Sequence, residues 1–270
     1  MMLQPMSTGA LSPLFYSLKL YTDMQLEPAK RSNVHMRVAV HGPSGAGKSY
    51  SALQLAFGLS KEHIAIIDTE AGSASLYSHL GKYSVINLEA PYSPERYMEA
   101  IQLCKEAGVE VLIIDSLSHE WDGPGGILEI HSRIPGNSFA NWSKVMPRHN
   151  KLLQTILNCG MHVIVTLRTK QDYIIHDKSG RMVPEKVGLK PIQKDGIDYE
   201  FTVAFEVGID HRAKASKDRT GLFVDLDPFT ITEGTGAQLR SWCEVDRLTQ
   251  RMDINQSFTQ NYSPNGTTNH

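Results

Sequence analysis

Residues 42–49 have the sequence GPSGAGKS, which matches the pattern G-x-x-x-x-G-K-S/T at every defined position. The stretch MRVAV at 36–40 has the composition of a short buried strand, and residues 50–59 have that of a helix. A strand, loop and helix of this kind surround a phosphate with backbone N–H groups, while the lysine and the hydroxyl bind the phosphate chain and its metal ion. The stretch therefore predicts a nucleotide-binding loop, with contacts from Gly42, Pro43, Ser44, Gly45, Ala46, Gly47, Lys48, Ser49 and Tyr50.

Apolar strands alternate with helices beyond this loop. Strands are predicted at 63–68, 83–88, 109–115 and 161–167, and helices at 73–80, 94–107 and 141–158. Nearly continuous apolar strands separated by helices are typical of a parallel sheet with helices on both faces. After Leu167 the apolar runs are short and separated by polar turns, and they include a predicted strand GLFVDLD at 221–227. The predicted fold class is α/β, a mainly parallel sheet flanked by helices with a C-terminal β-hairpin extension.

The size and composition of the chain favour one main domain. Its 270 residues are 41% hydrophobic, enough for one substantial core. We predict an N-terminal arm at 1–34, a core domain at 35–232, a C-terminal helix at 233–252 and a disordered tail at 253–270. The tail is rich in polar residues and has too few apolar ones to fold.

Charge and cysteine usage limit the possible partners and compartment. The formal net charge is −2, so a contact with nucleic acid has to come from a local basic patch. The three cysteines lie far apart without metal-ligand spacing, which is typical of reduced thiols in a core. The N-terminal stretch lacks the basic start of a signal peptide, and no run approaches the roughly 18 apolar residues that span a bilayer. We therefore expect a cytoplasmic protein without a membrane segment.

Two other apolar strands end in carboxylates. VLIID ends at Asp115, and IAIIDTE brings Glu70 just past the end of a strand. The carboxyl ends of parallel strands meet at one edge of a sheet, so both side chains are expected near the phosphate loop. Asp115 and Ser49 are suited to hold Mg²⁺ there, and Glu70 is suited to position the water that attacks a phosphate. The alternative interpretation of Glu70 is an acidic residue at the start of a helix.

The order GPSGAGKS, IIDTE, LIIDS and VIVTL resembles the RecA-like ATPases. In that superfamily the glutamate follows the strand after the phosphate-loop helix, whereas in AAA+ proteins it directly follows the magnesium aspartate. Here Ser116 follows Asp115, which favours the RecA-like resemblance. The resemblance implies a RecA-like P-loop NTPase core that uses ATP and Mg²⁺. It also implies that Thr166 and Arg168 lie in the γ-phosphate sensor region, where the family usually has Gln or Asn.

The segment KDRTG at 217–221 resembles the K-x-R-x-G segment of bacterial RadA-type proteins. In that family, basic side chains near this position reach the ATP site of the neighbouring subunit. The resemblance implies a catalytic role for Lys217 and Arg219, and a homo-oligomer, ring or filament, with ATP at its interfaces. From the residues alone, a solvated turn between two strands is equally compatible with this segment.

Residues 35–230 as a whole resemble the phage and prophage "AAA family ATPase" group, which is related to RecA-like single-strand annealing recombinases. This resemblance implies ATP hydrolysis, single-stranded DNA as a partner and a role in recombination. Residues 168–194 carry seven Lys or Arg against three acidic residues, so they form a local basic excess, although a solvated charged hairpin has the same composition. The candidate DNA contacts are Trp142, Lys144, Arg148, Lys170, Lys178 and Arg181.

Two alternatives to a DNA-stimulated ATPase follow from the same loop. One is a nucleotide-gated oligomeric binding module with negligible turnover, and the other is a small-molecule P-loop kinase. A kinase would usually have an Arg-rich lid and an acceptor pocket, and the sequence contains no recognisable example of either. The guanine-binding motif N-K-x-D is absent from the sequence, which favours ATP over GTP.

Overall fold

The computed structural model of the chain describes residues 34–178 and 181–244, and of residues 171–178 and 181–188 it describes the backbone alone. The predicted arm up to residue 33 and the predicted tail lie outside the described residues. A central sheet with helices on both faces occupies the described part, and it confirms the predicted fold class.

Eight strands form the sheet of the described residues, in the order β3-β2-β4-β5-β1-β7-β8, with β6 paired to β5 outside this path. Pairs within the path are parallel, except that β8 runs antiparallel to β7. The strands are β1 (Arg37–Gly42), β2 (Ile64–Asp68), β3 (Ser84–Asn87), β4 (Val111–Asp115), β5 (His162–Lys178), β6 (Arg181–Pro191), β7 (Val203–Val207) and β8 (Ala213–Asp218).

The helices divide between the two faces of the sheet. They are α1 (Lys48–Leu59), α2 (Pro94–Glu106), α3 (Ser118–Asp122), α4 (Ile127–Ser132), α5 (Ser138–Asn158) and α6 (233–244), together with 3₁₀ helices at Ser73–Leu80 and Ile197–Glu200. Successive strand residues point to opposite faces. Val38 and Val40 therefore pack with α1 and α6, while Ala39 packs with α2 and α5.

Two glycines allow α6 to lie directly on α1. A Cβ atom on Gly58 would come within 2.1 Å of the Glu233 carbonyl oxygen, and one on Gly236 within 2.2 Å of the Leu55 carbonyl oxygen. Only glycine permits backbones to approach so closely. The described part of the predicted C-terminal helix is thus fixed to the helix that follows the phosphate loop.

Several local predictions were wrong. No helix was predicted between β4 and α5, where the structure has the two short helices α3 and α4. The predicted hairpin extension is partly in the main sheet, because β7 pairs with β1. The predicted strand at 221–227 is a turn. The turn forms because the Asp218 carboxylate accepts hydrogen bonds from the backbone N–H groups of Thr220 and Phe223, which bends the chain.

Strand register brings the predicted site residues to one edge of the sheet. Asp68 lies opposite Asp115, and Gly42 lies opposite Arg168. β5 continues past this edge and pairs with β6 from Thr169 opposite Pro191 to Lys178 opposite Arg181. We call this two-stranded projection, residues 169–178 and 181–191, the ribbon. It leaves the sheet beside the phosphate loop.

The three cysteines are buried and none of them forms a disulfide bond, as predicted for thiols in a core. Among the described residues, every helix is too short or too polar to cross a membrane.

Candidate active site

The phosphate loop connects β1 to α1. Gly45 and Gly47 have φ values of 79° and 86°, which non-glycine residues rarely adopt. A Cβ atom on Gly42 would lie 2.3 Å from the Val207 carbonyl oxygen, so the end of β7 packs directly against the loop. The first turn of α1 follows Gly47, and its N–H groups have no partner within the helix. The loop is therefore built to bind an anion at a helix N-terminus.

Lys48 lies over the loop. Its Nζ donates a hydrogen bond of 2.9 Å to the Pro43 carbonyl oxygen. Burial lowers the pKa of Lys48, and the carboxylates of Asp115 and Glu70 partly offset this effect. An ammonium group held beside a phosphate loop is suited to bind the phosphate chain of a nucleotide.

Asp115 is buried at the end of β4, with 3% of its surface exposed. The Thr166 hydroxyl donates to its Oδ1 at 2.5 Å, and the Ser49 hydroxyl also hydrogen-bonds to this carboxylate. Burial raises the pKa of Asp115, whereas these two hydrogen bonds act in the opposite direction. A carboxylate beside a serine hydroxyl supplies the oxygen ligands that Mg²⁺ prefers, so Ser49 and Asp115 fit that ion.

Glu70 is held by Arg168. Arg168 Nε donates to Glu70 Oε1 at 2.9 Å, and Nη2 donates to Oε2 at 2.8 Å, which makes a bidentate ion pair between β2 and the base of the ribbon. The exposed fractions are 27% for the Glu70 side chain and 41% for the Arg168 side chain. Burial would raise the pKa of Glu70, but the hydrogen bonds and charge of Arg168 outweigh it, and the pKa lies below its ordinary value.

A cavity of about 860 Å³ opens over the phosphate loop. Its lining includes the polar and charged residues Lys48, Ser49, Glu70, Asp115 and Arg168. The lining also includes aromatic and aliphatic residues, among them Tyr50, Tyr77, His211 and Ile231. Tyr50 and Tyr77 form an edge-to-face pair with ring centroids 6.3 Å apart. Charged groups for a phosphate chain and apolar groups for a flat ring thus face one cavity.

The family of the chain follows from a comparison with known proteins. A family model described as an AAA domain matches residues 35–234. The chain belongs to this AAA domain family. The family is of the nucleotide-binding P-loop ATPase type, and the matched region contains every residue that lines the cavity. No curated protein matches the chain. The cavity is the candidate nucleotide site of the AAA domain.

Several residues whose hydrogen bonds shape the turn around Glu70 were not predicted from the sequence. The Asp68 carboxylate accepts hydrogen bonds from the N–H groups of Glu70 (2.6 Å) and Ala74 (2.9 Å) and so shapes the turn after β2. The Thr69 hydroxyl accepts from the Ser116 N–H at 2.8 Å and lies 2.7 Å from His119 Nδ1. Polar residues just after a strand were the only sequence signal for these contacts.

His211 was also missed. It belongs to the turn between β7 and β8, has a φ of 61°, and its Nδ1 lies 3.2 Å from the Ala46 carbonyl oxygen. A single histidine in a polar turn belongs to no motif, so its contact with the phosphate loop could not be predicted from the sequence.

Lys217 and Arg219 lie away from the cavity of their own AAA domain. Asp218 between them pairs with Val203, which lies at the amino ends of the parallel strands, opposite the phosphate-loop edge. Lys217 Nζ donates to the Asp198 carbonyl oxygen at 2.6 Å, and Arg219 Nη2 donates to the Tyr199 carbonyl oxygen at 3.0 Å. The structure therefore does not bring them to Glu70 within one chain.

The candidate DNA contacts fall into two groups. On α5, Trp142 is stacked against the rings of His131 and Trp121, Arg148 forms a bidentate ion pair with Glu95, and Lys144 hydrogen-bonds Asn141. On the ribbon, Lys170 is exposed near the base, and Lys178 and Arg181 face each other in the register of its far end. The side chains of Lys178 and Arg181 lie outside the described residues, and DNA binding by both groups stays a prediction.

Proposed function

We propose that this AAA domain binds ATP with Mg²⁺, hydrolyses it, and couples the nucleotide to binding of single-stranded DNA. The observation that carries the ATPase proposal is the presence of Lys48, Glu70 and Asp115 in one cavity over a phosphate loop. These are the three side chains that bind the phosphates, position water and hold the metal ion in such a reaction.

The loop N–H groups and Lys48 hold the β- and γ-phosphates. Ser49 and Asp115 hold Mg²⁺, which when bound neutralises charge on the phosphate oxygens. Glu70 orients a water molecule and accepts its proton as the new P–O bond forms and the bond to the β-phosphate oxygen breaks. Thr166 fixes the orientation of the Asp115 carboxylate through its hydroxyl.

The nucleobase is proposed to lie beside Tyr77 and Ile231, which line the same cavity. An edge-to-face tyrosine pair leaves ring surface on which a purine can stack. Adenine is preferred in this proposal because the sequence lacks the N-K-x-D motif that binds guanine.

Lys217 and Arg219 are proposed to complete the site of a neighbouring chain in a homo-oligomer. The position of the two residues supports this role. They lie on the sheet edge opposite their own phosphate loop, and both side chains donate to backbone carbonyl oxygens rather than to carboxylate oxygens. A cation that reaches the γ-phosphate stabilises the charge of the transition state and contributes about 10³-fold or more to the rate.

The DNA proposal is supported by the ribbon. It carries five of the seven basic residues of 168–194, against three acidic residues, and it projects from the sheet edge that holds the cavity. Together with the RecA-like order of motifs, this favours a phage-type recombination or annealing protein in the cytoplasm of a bacterial host.

Phosphate release from ATP, with and without single-stranded DNA, tests the proposed function. We expect turnover that DNA stimulates in the wild type and that falls by about 10²-fold or more in Lys48→Ala, Glu70→Gln and Arg219→Ala. Arg133→Ala is the matched control, since Arg133 is an exposed arginine whose side chain pairs with Glu129. Turnover that is slow, indifferent to DNA and unchanged in Glu70→Gln would instead indicate a nucleotide-gated binding module. Turnover that requires a small acceptor molecule would indicate a kinase.

A further inference from the structure

The Glu70 carboxylate, which is proposed to activate water, is already hydrogen-bonded to another side chain. Both oxygens of Glu70 accept hydrogen bonds from the Arg168 guanidinium, at 2.9 and 2.8 Å, and both residues line the cavity that contains Lys48. A carboxylate engaged in this way has fewer free lone pairs with which to orient water. Burial raises the pKa of Glu70, but the hydrogen bonds and charge of Arg168 outweigh this effect and lower the pKa below its ordinary value. A lower pKa makes Glu70 a weaker base.

The main chain of Arg168 is fixed, so only its side chain is free to change partner. Its N–H donates to the Ser118 hydroxyl oxygen at 2.9 Å, and its carbonyl oxygen accepts from the Ile192 N–H at 2.7 Å. Its ion pair with Glu70 is partly exposed to solvent. Exposed pairs of this kind shift an equilibrium by a factor of about five or less, so an anion of higher charge can replace the carboxylate.

We propose, on the basis of the function proposed above, that the third phosphate of the nucleotide replaces Glu70 as the partner of Arg168. A terminal phosphate carries more charge than a carboxylate and presents the paired oxygens that a guanidinium binds in bidentate form. The exchange frees Glu70 to bind water only when a triphosphate is present. A diphosphate lacks the group that draws Arg168 away, so Arg168 also determines whether the site distinguishes ATP from ADP.

Calorimetric affinities for a non-hydrolysable ATP analogue and for ADP, each with Mg²⁺, test the exchange without any turnover. Glu70→Gln removes the competing charge and keeps the shape of the side chain. We expect it to tighten binding of the ATP analogue about two- to fivefold and to leave ADP affinity unchanged. Arg168→Gln is expected to weaken binding of the ATP analogue about tenfold or more, again without an effect on ADP.

The double variant Glu70→Gln/Arg168→Gln distinguishes exchange from simple repulsion. If Glu70 only repels the third phosphate, Glu70→Gln also tightens binding of the ATP analogue when Arg168 is absent. If Glu70 competes for Arg168, that gain disappears in the Arg168→Gln background. A gain that persists, or an Arg168→Gln effect that is equal for ATP analogue and ADP, overturns the proposal.

The same measurements separate this proposal from the proposed function. If wild type and Lys48→Ala both fail to bind either nucleotide, nucleotide binding itself is wrong. If both nucleotides bind in a Lys48-dependent manner but Glu70→Gln leaves the preference for the ATP analogue unchanged, only the exchange is wrong.

Discussion

The pKa of Glu95 reports on the ion pair that this side chain forms with Arg148. Hydrogen bonds from Arg148 lower the pKa of Glu95 from an ordinary value of 4.5 to about 2. Because this pKa is lower in the folded state than in the unfolded state, the stabilising contribution is complete above about pH 4.5 and is lost as pH falls through about 2. Both side chains are about 40% exposed, so the contribution to stability is small.

We expect an NMR titration of the Glu95 carboxyl carbon to give a midpoint near 2 in the wild type and a midpoint well above it in Arg148→Gln. If single-stranded DNA takes Arg148 as a partner, adding DNA raises the midpoint in the wild type as well. A midpoint that DNA leaves unchanged would argue against Arg148 as a DNA contact. Arg133→Gln is the control, because its ion pair is with Glu129.

The positions of residues that belong to a motif could be predicted from the sequence, whereas contacts between distant residues could not. The phosphate loop, Asp115 and Glu70 were predicted because each follows an apolar strand, and parallel strands bring their carboxyl ends together. The ion pair between Glu70 and Arg168 joins residues that are 98 positions apart. The contact between His211 and Ala46 spans 165 positions. Local patterns carry no information about such pairs.

The end of α5 depends on one buried arginine at the start of β1. Arg37 is 6% exposed, and its guanidinium donates at 2.7 Å to the carbonyl oxygen of Leu157, in the last turn of α5, and to that of Met161, just after the helix. These carbonyls have no partner within the helix, and a cation at a helix C-terminus also stabilises its dipole. Burial lowers the pKa of Arg37, yet its ordinary value is so high that the charge persists at neutral pH.

We expect Arg37→Met to lower the free energy of unfolding by about 2 to 4 kcal/mol, because it leaves buried carbonyl oxygens without donors. Urea unfolding followed by circular dichroism measures the change. Arg133→Met, at an exposed position just after α4, is the control and is expected to change stability by less than about 0.5 kcal/mol. Equal effects of the two substitutions would show that the buried hydrogen bonds contribute little.

Elements with a strong apolar pattern were predictable, whereas their connections were not. Strands β1 to β4 and helix α2 were predicted to within a few residues, since Pro94 and the apolar residues of α2 define its start and its buried face. β5 was predicted to end at Leu167, but it continues to Lys178. The pattern of β7 did not indicate its partner, because a short apolar strand fits either a hairpin or the centre of a sheet. The turn at 221–227 was missed because apolar Val224 and Leu226 suggested a strand, although both are exposed.

The chain as a whole has its two proposed catalytic parts on opposite edges of the sheet. Lys48 and Glu70 line the cavity, while Arg219 lies at the other edge and donates to the Tyr199 carbonyl oxygen. If one chain cannot use both parts, two chains must meet head to tail, which produces a ring or a filament. This arrangement predicts that two inactive variants restore each other.

Lys48→Ala disables the phosphate loop but keeps Arg219, whereas Arg219→Ala keeps the loop but lacks the arginine. Each variant alone is expected to be inactive. In a randomly mixed oligomer, about one quarter of the sites combine an intact loop with an intact neighbouring arginine, so turnover recovers to about that fraction of wild type. Phosphate release from proteins co-purified as mixed oligomers measures the recovery, and the double variant mixed with Lys48→Ala is the control that stays inactive. Absence of recovery in confirmed mixed oligomers would mean that Arg219 does not act on the site of a neighbour.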